Sequence, residues 1–141
     1  MKFGFTFLLI VLFTINVFAQ DSDYEKRVSE TVDLLKTNKY EEGLKHLLGE
    51  GTILYNNIFG VETKKNSQIS QITNFTNVYG ELVNYDLVWS KTLGSVTDQY
   101  YLLNYKNYPI ALNIVFYKIR EDISVIYYKF SESAEDLPEK F

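Results

Sequence analysis

Two hydrophobic periods divide the chain. From Ser22 to about Val78 apolar residues recur three or four positions apart, the spacing of helices, and beyond Gly80 they alternate with polar ones, the spacing of strands. Tyr24, Val28, Val32 and Leu35 form one stripe on a helix ending near Lys36, and Tyr40, Leu44, Leu47 and Leu48 form a second that stops at Gly49. Ser22 with Glu25 and Asn38 with Glu41 match the capping box, in which a side-chain oxygen accepts an early helix N–H and a later carboxylate reaches back. A short helix is expected over 52–59 and a longer one over 67–78, with Ile69, Ile72 and Phe75 facing inward. Gly49, Gly60 and Gly80 each follow a helix end, where glycine adopts a left-handed backbone freely.

The alternation predicts four strands, over 81–91, 96–105, 110–119 and 123–130. In the first, Val83, Tyr85, Leu87 and Trp89 oppose Asn84, Asp86 and Ser90. The gaps at Gly94-Ser95, at 106–109 and at 120–122 suit hairpins, so the strands form an antiparallel meander. Pro109 sits where a strand can start without donating a ladder hydrogen bond. Helices first and strands last predict an α+β domain with helices on one sheet face. The last two strands carry apolar residues on both faces, Leu112, Ile114 and Phe116 against Val115, Tyr117 and Ile119, and Val125 and Tyr127 against Ile126, Tyr128 and Phe130. The uncovered face is therefore expected to pair in a homodimer or to meet a partner. The stretch 131–141 is acidic, aperiodic and read as a loosely held tail.

Ahead of the periodic region stands a secretory signal. Lys2 supplies its charge, Phe3 to Phe18 its apolar run, and Val17 and Ala19 the small pair read by signal peptidase, so 1–19 is the expected leader and Gln20 the expected start of the mature chain, the alternative being an uncleaved membrane anchor, for which the run is only slightly short. Export places the product in the periplasm or outside the cell. There are no cysteines, which removes both disulfides and a lipid-modified cysteine at the cleavage site. The formal charge of -4 becomes one unit more negative without Lys2, and no basic stripe is present for nucleic acid or an anionic membrane. Lys26-Arg27 and Lys64-Lys65 read as solvated pairs. The remaining 20–130 is one domain.

The order of helices, a Tyr-Gly step and an aromatic meander resembles the nuclear-transport-factor-2-like (NTF2-like) superfamily, nearest its small exported bacterial members. The residues that carry the likeness are Val78-Tyr79-Gly80, 100–105, 114–118 and 126–130. The resemblance implies a curved four-stranded sheet wrapped on helices, a conical cavity between them and dimerisation through the sheet. Superfamily members include isomerases, dehydratases and domains that only bind, so fold does not choose among them.

Little in the chain bears catalysis. His46 is the single histidine, and at helical spacing it falls away from Tyr40, Leu44 and Leu47, on the solvent side near Glu42. With Glu41 and Glu42 alone it makes no zinc set, and without cysteine or a second histidine covalent hydrolase chemistry drops out. Asn74-Phe75-Thr76 matches a glycosylation acceptor but lies inside a helix. An isomerase-type mechanism, which the resemblance raises, needs a pocket carboxylate beside a phenol. By residue type that is Asp86 or Asp98 with Tyr85, Tyr101 or Tyr117, but strand parity points Asp86 outward.

The function expected is therefore an exported binding domain without catalysis, for a small apolar molecule or a protein partner. It has no catalytic residues, no metal and no cofactor, and after processing no membrane insertion. Tyr85, Trp89, Tyr101 and Tyr117, broad side chains on neighbouring strands, are the expected ligand-binding residues. The alternative is a cofactor-free isomerase or hydratase-like enzyme using a pocket carboxylate and tyrosine.

Overall fold

A computed structural model describes residues 23–133 and 136–138. The expected signal sequence, Gln20 and Ser22, the expected cap of the first helix, lie outside the described residues. Within them stand four helices, α1 (23–36), α2 (Tyr40–Leu48), α3 (Ile53–Phe59) and α4 (Glu62–Tyr79). Four strands follow, β1 (Leu82–Leu93), β2 (Val96–Tyr105), β3 (Pro109–Ile119) and β4 (Asp122–Ser131), in an antiparallel sheet of order β1-β2-β3-β4. The α+β meander expected from the two periods is the observed architecture.

The apolar stripes become the core. Tyr24, Val28, Val32 and Leu35 are buried along α1, each apolar side chain worth on the order of 1.5–3 kcal/mol. Tyr24 stacks on Phe116 of β3 with ring centroids 4.5 Å apart. Leu44, Leu47 and Leu48 of α2 and Ile72 and Phe75 of α4 join the same cluster. No described helix is long and apolar enough to cross a membrane.

Three helix ends differ from expectation. Asn38 does not cap α2; Lys39 stands there, without a side-chain cap bond. Asn38 instead has φ 61° and closes α1. Its N–H bonds to Leu35 O at 3.0 Å and the N–H of Lys39 to Leu34 O at 3.0 Å, the paired bonds of a Schellman turn. Asparagine tolerates the left-handed region, so the residue stops the first helix rather than starting the second. Gly60 has φ -74°, an ordinary value. Glycine is required there because a Cβ would collide with the Asn56 carbonyl oxygen. α4 also begins five residues early, at Glu62 rather than 67. Glu62 suits a first turn and pairs with Lys65 at 2.8 Å, a local gain that the apolar pattern does not register.

The sheet's inner face packs under the helices, and β2 shows strict alternation, with Thr97, Gln99, Tyr101, Leu103 and Tyr105 buried. β1 does not alternate. Its pairing with β2 shifts between Leu82 and Asn84 and again between Leu87 and Trp89, so Val83 and Val88 are extra residues. Leu82, Tyr85 and Leu87 oppose Tyr105, Leu103 and Tyr101 on the inner face, whereas Trp89 opposes Tyr100 on the outer face. The expected single face of Val83, Tyr85, Leu87 and Trp89 is thus broken by bulges. A third shift, between Val115 and Phe116, makes Ile126 the extra residue of β4. Val125, Tyr128 and Phe130 then face inward and Tyr127 outward. The outer face is consequently mixed rather than continuously apolar: Lys129, Ser131, Asn113 and Asp98 interrupt Trp89, Tyr100, Val115 and Tyr127.

Part of the C-terminal stretch returns to that face. Asp136 accepts from Ser131 Oγ and lies 3.2 Å from Lys129 Nζ, and Leu137 sits with Leu102, Tyr108, Pro109 and Ala111. Asp136 and Leu137 thus lie against the sheet.

Candidate functional site

The four aromatic residues singled out by sequence do not converge. Tyr101 is fully buried in the core, where its phenol donates to Gln99 Oε1 at 2.6 Å. Half-buried Tyr85 tilts against it at 6.0 Å. Trp89 lies on the opposite face, edge-on to Tyr100 at 5.6 Å. Tyr117, at the far end of β3, lines the groove described below.

The candidate acids are on the outer face. Asp86 accepts from Asn104 Nδ2 at 2.7 Å, and Asp98 from Asn113 Nδ2 at 2.5 Å. Asn104 also donates to Asn84 Oδ1 at 2.7 Å. Both carboxylates are thus tied to neighbouring asparagines on the face turned away from the helices, not set beside a phenol in a pocket. Burial, and then the charge of Asp98, pushes the Tyr100 phenol above its ordinary value. His46 does not face solvent alone: Nε2 lies 2.9 Å from Glu30 Oε2 across the α1–α2 seam, outside hydrogen-bond alignment. No group of three or more potential metal ligands occurs among the described residues.

A groove of about 1080 Å³ lies at the β4 edge of the molecule. Asp23 and Arg27 of α1, the 50–54 turn and Asn57 of α3 form one wall, and Tyr117 with 121–126 forms the other. Thr52 shapes the first wall. Its Oγ1 accepts from Tyr55 N at 3.2 Å as the α3 cap and donates toward Gly49 O at 2.9 Å, which presents Ile53 and Leu54 to the groove. Ile53 is 83% exposed and Ile126 49% exposed.

Arg27 is half-buried in this wall. Desolvation pushes its guanidinium down from the ordinary value, though that value is high enough to leave it charged. Its Nη1 is sealed from solvent without a hydrogen-bond partner. Such a donor costs about 1–3 kcal/mol when left unpaired, more when charged. Asp23, one turn away, pairs instead with Lys118 at 3.6 Å. Sequence reading passed over Arg27 as a surface charge. Its position three residues after Tyr24 and one before Val28 sets it on the flank of the apolar stripe, which was the available signal.

No protein-family model, curated protein or solved structure matches the chain.

Proposed function

We propose that the chain is an exported binding domain of NTF2-like architecture that takes a small apolar molecule or a protein partner in the groove beside β4, without catalysing a reaction. The observation that carries this reading is the groove itself: exposed Ile53 and Ile126 and the neighbouring Leu54, Ile123 and Val125 give it an apolar lining. A hollow of this size, with apolar side chains beside Arg27 and the carboxylates of Asp23, Glu50, Glu121 and Asp122, suits binding, in which apolar groups hold a ligand and polar groups orient it. The asparagine-bonded Asp86 and Asp98 lend the isomerase alternative no support. Of the four aromatic residues expected to bind, Tyr117 is the one this proposal uses. Self-association, in the same proposal, runs through the outer-face patch of Trp89, Tyr100, Val115 and Tyr127, and the mass in solution tests it.

The test starts from protein collected outside the cytoplasm, where an intact mass beginning at Gln20 checks processing, and titrates it with the neutral apolar dye Nile red. Ile53→Asp and Ile126→Asp are expected to weaken dye binding about tenfold or more, the cost of placing a charge against an apolar ligand. Both positions are exposed, so circular dichroism and the urea midpoint should stay unchanged. Dye binding indifferent to both substitutions would remove the groove as the site.

A further inference from the structure

β4 has a neighbour on one side only, β3. An antiparallel edge strand leaves alternate N–H and C=O groups without ladder partners, a template for one more strand. The groove runs along this edge, since residues 121–126 form one of its walls and α1 with the 50–54 turn form the other. Pairing with β3 is regular from Asp122 to Val125, and the bulge at Ile126 ends that stretch. A chain entering the groove would therefore meet a straight length of edge backbone with apolar side chains beside it.

Charge selects what enters. The lining holds Asp23, Glu50, Glu121 and Asp122 against Arg27. Lys118 offsets Asp23, which leaves Glu50, Glu121 and Asp122 facing the space, while Arg27 is half-buried with Nη1 sealed. Arg120 belongs to the hairpin tip, outside the lining. A second copy, at a formal charge of -4 and bringing the same acidic rim, is repelled at this edge. A basic segment is attracted to it.

We propose that the free edge of β4 accepts an extended segment of a partner protein, apolar residues alternating with Lys or Arg, as a fifth strand of the sheet. Backbone hydrogen bonds supply affinity, and side chains on alternate positions supply selection: one set meets Ile53, Leu54 and Ile126, the other the carboxylates. The proposal rests on the groove being a binding site.

Three peptides titrated into the isotope-labelled protein test it by amide NMR: an alternating Val–Lys peptide, its Val–Glu counterpart, and the Val–Lys peptide N-methylated on alternate amides. The Val–Lys peptide is expected to shift amides concentrated over 122–126 and slow their hydrogen exchange. The Val–Glu peptide should bind at least about tenfold more weakly, and N-methylation should abolish binding because it removes the strand-pairing donors. Glu121→Lys combined with Asp122→Lys, both at exposed positions, should reverse the preference between the two charged peptides. Equal affinity for Lys and Glu peptides, full binding by the N-methylated peptide, shifts away from β4, or β4 amides already protected in a dimer would each overturn the proposal. Nile red separates the two levels: dye retained without peptide binding overturns the fifth strand and leaves the groove, whereas loss of both removes the groove reading as well.

Discussion

Tyr101 is fully buried at the centre of β2, with a polar neighbour on its own strand. The phenol donates to Gln99 Oε1, and Gln99 Nε2 continues to Ser90 Oγ at 3.2 Å. Tyr101→Phe keeps the ring but takes the donor from a buried acceptor, so it is expected to lower the unfolding free energy by about 1–2 kcal/mol in urea titrations. Tyr127→Phe, 46% exposed, should change it by less than about 0.5 kcal/mol. The shared face of Gln99 and Tyr101 was legible, since they are two positions apart on a regular strand. The place of Trp89 was not. Its face depends on Val88 being an extra residue, and nothing in an alternating run marks which valine bulges. Asp86 was legible in part: its outward direction follows from parity with Tyr85, but its bonds to Asn104 depend on a strand register that the hairpin gap alone did not specify.

Among the elements, turn chemistry decided more than propensity. Asn38 followed by Glu41 has the letters of a capping box, yet the left-handed backbone of Asn38 assigns it to the end of α1. Both roles use the same residue types, so the sequence pattern leaves the two ends of one short loop indistinguishable. Thr52 is the cap that does form. α3 is seven residues long, too short to be stable by propagation alone, and Thr52 ties its first turn to the end of α2 through Tyr55 N, Leu48 O and Gly49 O. Thr52→Ala should therefore cost about 1 kcal/mol. It should also loosen the groove wall, seen as faster amide exchange at Tyr55 and Asn56 while α4 is unaffected. Equal exchange in both proteins would assign the position of α3 to packing of Ile58 rather than to the cap.

At the scale of the whole molecule, the change of period at Gly80 exposed the architecture because the fold joins local elements in chain order and needs no crossover to assemble its sheet. The groove was hidden for the opposite reason: its walls come from residues near 23–27, 50–57 and 117–126, which only the packed fold brings together. The same packing sets a limit on stability at high pH. Tyr105 meets Phe75 at 6.1 Å, and Tyr128 contacts Phe130 at 5.9 Å while donating to Gln68 Oε1 at 2.8 Å, so both phenols are held between sheet and α4. Burial raises both well above the ordinary value of 10.0. In the unfolded chain they ionise near that ordinary value, whereas the folded chain keeps its protons. Above it the unfolded state therefore binds fewer protons, and stability falls as pH rises. The contribution is complete below about pH 9 and is lost progressively from about pH 10, at a slope of at most about 1.4 kcal/mol per pH unit for each phenol. A single variant isolates the effect: Tyr128→Phe should flatten the decline of the urea midpoint between pH 9 and about pH 11 relative to the parent. Identical pH profiles for parent and variant would mean that the Tyr128 phenol ionises as readily in the folded protein as in the unfolded one, and that α4 does not shield it from water.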